Sequence, residues 1–501
     1  MGLDPAAWTT VAATLAMWKS LRTLAAEQQA GDESASFGRA ARLLLGLACV
    51  LSLVRFWRLG EWSLWYDEVL TWADLNDPAM GERLGNPLGY QLVGLVVGWC
   101  GGADEWSLRL LPCLAGVACV PACFWALRPL VGDARAALAA LLLACSSWHV
   151  HWSQTARFYT LAQLVALLGA GLYLRGLRRG ALPGLLAGLV AIAAAGLFHP
   201  SALLILPGLA LGPFLPGLAP ADKAPRLRLV LGLAAVLGAL VAAPRAYEAF
   251  QDYMSQKGQS DAFASLRHYV LTSGFHISPV LLAAALIGAW LAFVRRERAL
   301  QFGFLVVASS LLAAACFSLG VRVSAQYVFV LLPWVALLGA APAFAREEGA
   351  GQPRAAWNWA WSALVALPLL VQTGLYMTVR RGERPAWRDA YAYVQSARAP
   401  GDLVAGMEAA VGEHYLDRSA VDLRHPRSIA VLDRWRHDEL RAWARAGRPM
   451  WLVVNKEQLE GWPREDARRF ERFLAEECRL VRTWPLEVES RDLTVWVYRR
   501  G

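Results

Sequence analysis

Two adjacent carboxylates, Asp67 and Glu68, stand where a largely apolar chain opens into a polar loop. On a helix their side chains would point about 100° apart, so one could face a substrate while the other orients it or holds a partner. The aromatic neighbours Trp65 and Tyr66 can exclude water and raise the pKa of an aspartate. Such an aspartate suits a general base near neutral pH. A solvated helix N-terminus in a loop would carry the same two residues, so the pair is weak by itself.

A second polar set follows about 80 residues later, where His149, His151, Arg157 and Tyr159 lie at one end of an apolar block. Arginine presents a fork of donors that matches a phosphate, so this set could grip one. The competing interpretation is interfacial packing around an arginine whose charge reaches water. The two histidines have no third ligand nearby, so we predict no metal site, although a divalent metal ion is left open as a requirement.

Four further residues are candidates for contact with substrate or phosphate. Arg109 lies beside Asp104 and Glu105, and could pair with one of them or neutralise a phosphate. The others are Tyr66, Asn86 and Lys257. The chain has no Walker A sequence and no Gly-x-Gly-x-x-Gly between a strand and a helix, so a nucleotide-sugar site is unsupported and no cofactor is identified.

The composition indicates a polytopic α-helical membrane protein. Of the 501 residues, 56% are hydrophobic and 18% charged, against about 25% charged in soluble proteins. The net charge of +9 comes from arginines at the ends of apolar blocks, which argues against nucleic-acid binding. We predict eleven spans, at residues 43–57, 107–127, 136–150, 158–174, 180–198, 200–218, 227–244, 277–294, 299–320, 325–345 and 357–379.

The side of the membrane on which each loop lies depends on segment 88–100. It is too short to cross a core of about 30 Å, so we expect it to lie in the interface. The arginine-rich breaks then face the cytoplasm, as the positive-inside rule requires. A cytoplasmic segment 1–40, with an amphipathic helix at 6–25, would precede a transmembrane domain at 41–379. The loop 58–106 and the C-terminal domain would face outward from the inner (plasma) membrane.

The C-terminal residues 380–501 are rich in charge and predict a small soluble α/β domain. We see no catalytic set in it, and it could either cap the site or help to bind an acceptor. The predicted strands are Leu403–Ala405, Met450–Val454, Leu480–Trp484 and Leu493–Tyr498, and the predicted helices are Trp387–Ala397, Arg434–Ala446 and Arg464–Cys478.

Five loose motifs occur in an order that resembles a known family. They are Leu64-Trp65-Tyr66-Asp67-Glu68, Pro87-Leu88-Gly89-Tyr90, Gly102-x-x-Glu105-x-x-Leu108-Arg109-Leu110-x-Pro112, Trp152-Ser-Gln-Thr-Ala-Arg157-Phe-Tyr159 and Pro385-Ala-Trp387-Arg388-Asp389. In this order the chain resembles the GT-C superfamily of dolichyl- and polyprenyl-phosphate-sugar glycosyltransferases. The most similar branch is the protein O-mannosyltransferase-like and aminoarabinose-transferase-like one, glycosyltransferase family 39-like.

The resemblance implies an inverting glycosyltransferase that moves a sugar from a polyprenyl-phosphate donor to an acceptor hydroxyl. Asp67 would be the general base with Glu68 as its neighbour, and Arg109, Arg157 and Tyr159 match positions that line the phosphate or structure the site. The acceptor, whether protein, lipid or glycan, is not implied. The chain departs from the family where His-Pro-Pro-Leu is replaced by Gly-Asn86-Pro-Leu.

Two other functions are weighed against this one. A transporter or lipid flippase tends to place ionisable groups within its spans and to carry internal repeats. Here the carboxylates fall in a loop and no repeat is visible, which favours the transferase. A non-catalytic scaffold would have no need of both Asp67 and Glu68.

Overall fold

The structure is a computed structural model. It describes residues 38–76, 87–233, 262–320, 323–344, 355–416, 430–431, 442–443, 445, 447, 449–488 and 491–501. The predicted amphipathic helix at 6–25 and most of the predicted span 227–244 lie outside these residues, as does most of the predicted helix Arg434–Ala446.

Apolar helices make up the described part of the chain up to residue 377. Their bounds are α1 Arg39–Ser52, α2 Tyr66–Asn76, α3 Pro87–Cys100, α4 Glu105–Val131, α5 Asp133–Cys145, α6 Ser147–Ser153, α7 Tyr159–Arg179, α8 Leu182–Ala195, α9 Leu206–Ala210, α10 Ala262–Ile277, α11 Pro279–Val294, α12 Arg298–Ser318, α13 Leu332–Ala340 and α14 Ala355–Met377. Short 3₁₀ turns cover Leu53–Phe56, Pro200–Ile205, Gly212–Phe214, Ala325–Leu331 and Arg381–Glu383.

Four of these helices, α4, α7, α12 and α14, are long and apolar enough to cross a membrane. A fifth span is formed if α10 and α11, which meet at a bend of 94°, are taken together. Shorter apolar helices fill several of the other predicted positions. The chain is therefore a membrane protein, and the number of eleven spans stays a prediction.

Several predicted spans are broken helices. The predicted span 136–150 is α5 followed by α6, with Ser146 between them in an extended conformation. The oxygen of Ser146 accepts a hydrogen bond from the backbone of His149, so it caps the start of α6. The predicted span 325–345 begins as a 3₁₀ turn and continues as α13.

Helix α2 carries the carboxylate pair, and α3 is the helix that follows it among the described residues. Helix α2 begins at Tyr66, so Asp67 and Glu68 lie in its first turn, where the helix dipole favours negative charge. Helix α3 begins at Pro87, a residue well suited to a helix start, and covers the segment predicted to lie in the interface.

The C-terminal residues form a five-stranded mixed sheet with helices on both faces. The strands are β1 Leu403–Gly406, β2 Ala430–Val431, β3 Met450–Asn455, β4 Arg479–Trp484 and β7 Val495–Arg500, and a separate pair is formed by β5 Glu487–Val488 and β6 Arg491–Asp492. The helices are α15 Trp387–Ala397, α16 Ala409–Tyr415, α17 Lys456–Glu460 and α18 Arg464–Glu477.

The order of strands in this sheet is β2-β1-β3-β7-β4. Strand β1 is parallel to both β2 and β3, while β7 is antiparallel to β3 and β4. All six residues of β3 are buried, because α18 covers one face of the sheet and α15 the other. A strand buried on both faces has a continuous apolar sequence, which is what Met450–Val454 shows.

Candidate functional site

Glu68 and Arg109 form a fully buried ion pair. Arg109 donates from Nε to one carboxylate oxygen at 2.7 Å and from Nη2 to the other at 2.8 Å, and neither side chain has any exposed surface. The backbone N–H of Ala156 donates to the same carboxylate at 2.8 Å. The pair therefore joins the first turn of α2 to α4 and to the segment after α6.

The remaining donors of Arg109 are used within the protein. They bond the carbonyl oxygens of Leu59, Trp62 and Ser63, at 3.1, 2.9 and 2.9 Å. Of the two alternatives left open for Arg109, the structure does not show a pair with Asp104 or Glu105, because the carboxylate that Arg109 pairs with is that of Glu68. Asp104 instead caps α4, because its carboxylate accepts from the backbone of Ser107. Through these hydrogen bonds, Arg109 holds the loop that precedes α2.

A second cation, Arg384, lies beside the same carboxylate. Its Nε is 3.5 Å from Glu68 Oε2, and its Nη2 donates to the hydroxyl of Thr155 at 2.7 Å. Burial by itself would raise the pKa of the Glu68 carboxyl. The charges of Arg109 and Arg384, together with the hydrogen bonds from Arg109 and Ala156, outweigh burial and hold that pKa below its usual value.

Asp67 differs from Glu68 in its surroundings. Its side chain is partly exposed, and Arg157 donates from Nη1 to its backbone oxygen at 3.3 Å. The same arginine nitrogen lies 3.3 Å from the hydroxyl of Thr71, one turn later in α2. One carboxylate of the pair is thus built into the protein and the other stays accessible.

A polar cavity of about 430 Å³ lies between the membrane helices and the C-terminal domain. The side chains that line it include Trp65, Tyr66, Trp148, His151, Trp152, His268, Thr272, His276, Gln326, Glu383, Arg384, Trp387, Glu408, Asn455, Glu457, Gln458 and Arg491. Asp67 is not among these side chains, but its neighbour Tyr66 is, and the charge of Asp67 contributes to a raised pKa of Glu408.

The structure brings some of the predicted site residues together at this cavity. Tyr66 and His151 line it, and Tyr66 is 46% exposed. Tyr159 is buried instead, with its ring centroid 4.3 Å from the rings of Trp152 and His199. Asn86 and Lys257 lie outside the described residues.

Two cavity residues, Arg384 and Glu408, were missed by the sequence reasoning. Arg384 immediately precedes the Pro385 motif, and its side chain is only 5% exposed. Glu408 follows β1, at the carboxyl end of a parallel strand. Ligand sites in open α/β sheets form at such ends, so the predicted strand was a usable signal.

The described residues contain no group of three or more His, Cys, Asp or Glu side chains that could hold a metal ion. The cavity histidines His151, His268 and His276 come from two helices, and the rings of His151 and His276 contact Trp152 and Trp148. The sequence predicts no metal site, and the question of a divalent metal ion, which the sequence left open, is not tested by these residues.

No protein-family model matches the chain, and no curated protein matches it. Solved structures do. ArnT from Cupriavidus metallidurans in the apo state is 14% identical, with 91% of this chain and 97% of that chain covered and a TM-score of 0.48. The same values hold for that ArnT bound to undecaprenyl phosphate.

The Archaeoglobus fulgidus oligosaccharyltransferase in the apo form is 12% identical, with a TM-score of 0.51. The alignment covers 84% of this chain and 70% of that one. At such identity a structural match speaks for the fold alone. The likeness to this oligosaccharyltransferase therefore shows that the chain shares its fold.

Proposed function

We propose that the protein is an inverting glycosyltransferase that moves a sugar from a polyprenyl-phosphate donor to an acceptor hydroxyl. The observation that carries the proposal is the division of the carboxylate pair. Glu68 is locked by Arg109, and Asp67 is left partly exposed beside a polar cavity at the junction of the two domains.

Asp67 is the general base in this proposal. Its carboxylate takes the proton of the acceptor hydroxyl as the oxygen attacks the anomeric carbon. The bond from that carbon to the phosphate oxygen breaks, its electron pair stays on the oxygen, and polyprenyl phosphate leaves. One displacement inverts the anomeric centre, and phosphate needs no second acid because it is already a good leaving group.

Arg384 and Arg157 are the cations best placed for the phosphate. Arg384 lines the cavity, and Arg157 holds the backbone of Asp67. Fixed positive charge in a site with little water stabilises the charge that develops on a departing phosphate. Arg109 was expected to share this role, and we now propose that it positions α2 because its donors are occupied.

The approach of a lipid chain is supported by a second cavity of about 170 Å³. It shares Trp148, His151, His276 and Glu383 with the first. It is also lined by Phe275 and Pro279, on either side of the bend between α10 and α11. We place the donor's first isoprene units there.

We retain the domain assignments as part of the proposal. Residues 41–379 form the transmembrane catalytic domain, with the loop 58–106 on the outer face. Residues 380–501 form an extracytoplasmic domain, so the cavity opens on the outer side of the plasma membrane. Cysteine labelling of an engineered Cys at position 67 from the cytoplasmic side would contradict this arrangement.

Asp67→Asn tests the proposal. The purified full-length protein in lipid nanodiscs is given undecaprenyl-phosphate-linked hexose and pentose donors, with water and methyl glucoside as acceptor hydroxyls, and release of undecaprenyl phosphate is measured. Loss of a general base should lower the rate about 100- to 10,000-fold. Asp389→Asn is the matched control, because Asp389 also lies in the first turn of a helix but is exposed on α15.

Two outcomes would count against the proposal. Equal rates for wild type and Asp67→Asn would remove Asp67 as the base. No release by wild type from any of these donors would remove the polyprenyl-phosphate donor itself.

A further inference from the structure

The carboxyl ends of two parallel strands in the C-terminal domain face the cavity. Strands β1 and β3 pair in parallel from Leu403 with Met450 to Gly406 with Val453. Glu408 comes two residues after β1, while Asn455 ends β3 and Gln458 follows in α17, and these three side chains line the cavity. This edge of an α/β sheet is where ligand sites form.

Glu408 differs from the other glutamates that line the cavity. Glu457 pairs with Arg491 at 2.6 Å, and Glu383 lies 3.9 Å from the same arginine. Among the residues that the structure describes, Glu408 has no ion pair, and its side chain accepts a hydrogen bond from the amide of Gln458. A carboxylate held by one neutral amide keeps acceptor capacity for a ligand.

The neighbours of Glu408 hold it in place. Asn455 Oδ1 accepts from the backbone of Gln458 at 3.1 Å, and Asn455 Nδ2 donates to the carbonyl of Leu493 at 3.2 Å. Asn455 therefore fixes the start of α17, and α17 in turn presents Gln458 to Glu408. A group supported in this way is preorganised for binding.

The rest of the wall is aromatic. Trp65, Tyr66, Trp148 and Trp387 line the same cavity. A carboxylate and an amide that accept and donate hydrogen bonds, beside flat apolar rings, match a molecule with many hydroxyls and apolar C–H faces. That combination describes a saccharide better than it describes a phosphate, which a carboxylate would repel.

We propose that Glu408 is a substrate-binding residue of the C-terminal domain, which holds saccharide hydroxyls against the cavity wall close to Asp67. The inference rests on the proposed glycosyltransferase function and assigns the C-terminal domain a part in the site. The saccharide is either the sugar of the donor or that of a glycan acceptor, and both offer the same hydroxyl chemistry.

The acidity of Glu408 gives the proposal a measurable signature. Burial raises the pKa of its carboxyl to about 7, the hydrogen bond from Gln458 opposes this rise, and the charge of Asp67 adds to it. The carboxylate accepts hydroxyl hydrogen bonds, so saccharide binding should strengthen as the pH rises through about 7. The other titratable or charged groups around the cavity are Asp67, His151, His268, His276, Glu383, Arg384, Glu457 and Arg491.

The experiment compares Glu408→Gln with Glu460→Gln in the full-length protein in nanodiscs. Glu460 is exposed at the end of α17 and does not line the cavity, so it is the matched control. The probes are an undecaprenyl-phosphate-linked hexose as donor, undecaprenyl phosphate as a competitor without sugar, and methyl glucoside as a soluble acceptor. Donor hydrolysis and transfer to methyl glucoside are followed between pH 5.5 and 8.5, a range of about 1.5 units on either side of the pKa.

Glu408→Gln should raise a KM about 10-fold, the value of one hydrogen bond to a charged group. It should also flatten the pH dependence of that KM relative to Glu460→Gln. A raised donor KM with an unchanged Ki for undecaprenyl phosphate assigns the donor sugar. If the donor KM is unchanged but transfer to methyl glucoside falls relative to donor hydrolysis, the saccharide that Glu408 binds is that of the acceptor.

If wild type turns over the donor but Glu408→Gln has the same KM and pH profile as Glu460→Gln, this inference is wrong while the proposed function stands. The inference also fails if the Ki for undecaprenyl phosphate rises as much as the KM, because loss of a saccharide contact leaves lipid phosphate binding intact. If wild type turns over no donor, the proposed function falls and takes this inference with it.

Discussion

At the scale of single residues, Asp67 and Glu68 show how one dipeptide can serve two purposes. Both lie in the first turn of α2, yet one is fully buried and the other partly exposed. The angle between consecutive side chains on a helix accounts for this division. The buried member holds the loop and the helix in place, so the exposed member has a fixed position.

The Glu68→Gln substitution should destabilise the protein. It leaves Arg109 as a buried charge without its counter-ion, which costs about 3 kcal/mol or more in the free energy of unfolding. Glu61→Gln is the control, because the pair of Arg58 and Glu61 is largely exposed and is worth less than about 1 kcal/mol. Thermal unfolding in detergent measures both, and equal shifts would contradict a special role for the buried pair.

The same ion pair predicts a dependence of stability on pH. The folded-state pKa of Glu68 is depressed, so its contribution is fully present above the unfolded value of 4.5 and is lost as the pH falls through the folded value. The stability difference between wild type and Glu68→Gln should therefore shrink as the pH drops below 4.5. A difference that stays constant down to pH 3 would disagree with this assignment.

At the scale of elements, broken helices shape the site. The α10–α11 break is at Ser278, which has φ +80° although it is not glycine, and within the described part of the chain its buried hydroxyl has no hydrogen-bond partner. A positive φ is costly for a residue with a Cβ, and strain of this kind often lies at functional positions. The break faces the second cavity through Phe275 and Pro279.

Ser278→Gly should raise the free energy of unfolding by about 1 kcal/mol, because it relieves the positive φ and removes the buried hydroxyl. Ser396→Gly is the opposite control, since Ser396 is exposed within α15 and glycine there should cost up to about 1 kcal/mol. Chemical or thermal unfolding of the purified protein measures whether each substitution raises or lowers the free energy of unfolding. A loss of stability in Ser278→Gly would show that the break is not strained.

Sequence patterns predicted regular elements well and breaks poorly. Helix Trp387–Ala397 has the predicted bounds, and the predicted strands at 403, 450, 480 and 493 correspond to β1, β3, β4 and β7, with ends shifted by up to two residues. Hydropathy averages over a window, so it could not detect the break at Ser146 inside the predicted span 136–150. That break is stabilised by Arg55, a distant residue that donates to the carbonyls of Leu143 and Ala144.

Sequence patterns predicted only part of the candidate site, because contacts between distant residues also shape it. Asp67, Glu68, Tyr66 and His151 lie at or beside the cavity or its supporting ion pair. Their roles are still predictions. The sequence offered Asp104 and Glu105 as possible partners of Arg109, whereas the fold supplies the carboxylate of Glu68, 41 residues away, which no local spacing indicates.

At the scale of the whole molecule, the apolar helices share one buried core with α15 and one face of the C-terminal sheet. Leu64 and Val69 belong to the same buried cluster as Trp387, Tyr391 and Trp451. Polar contacts add to this interface. Arg388 donates to Glu105 at 3.3 Å and to the carbonyl of Gly60 at 3.2 Å, and the Tyr415 hydroxyl donates to Glu105 at 2.9 Å.

Arg388→Ala should lower the free energy of unfolding by about 1–3 kcal/mol, because it removes several hydrogen bonds between the domains and leaves carbonyls unpaired. Arg469→Ala is the control, since its pair with Glu465 is exposed and is worth at most about 1 kcal/mol. Differential scanning calorimetry of the detergent-solubilised protein measures the change. Equal melting temperatures for the two variants would mean that these contacts do not tie the domains together.

The position of the β1 and β3 ends at the cavity has a consequence for how this architecture can diversify. Asp67, the proposed proton acceptor, lies on helix α2, while Glu408 and Gln458 lie in short connections that follow strands of the C-terminal sheet. The side chains of Glu408 and Gln458 line the cavity and belong to no buried apolar cluster, so replacing them leaves those clusters intact. Under the proposed function, substitutions at Glu408 and Gln458 can therefore change which sugar is bound while Asp67 and the membrane helices stay the same.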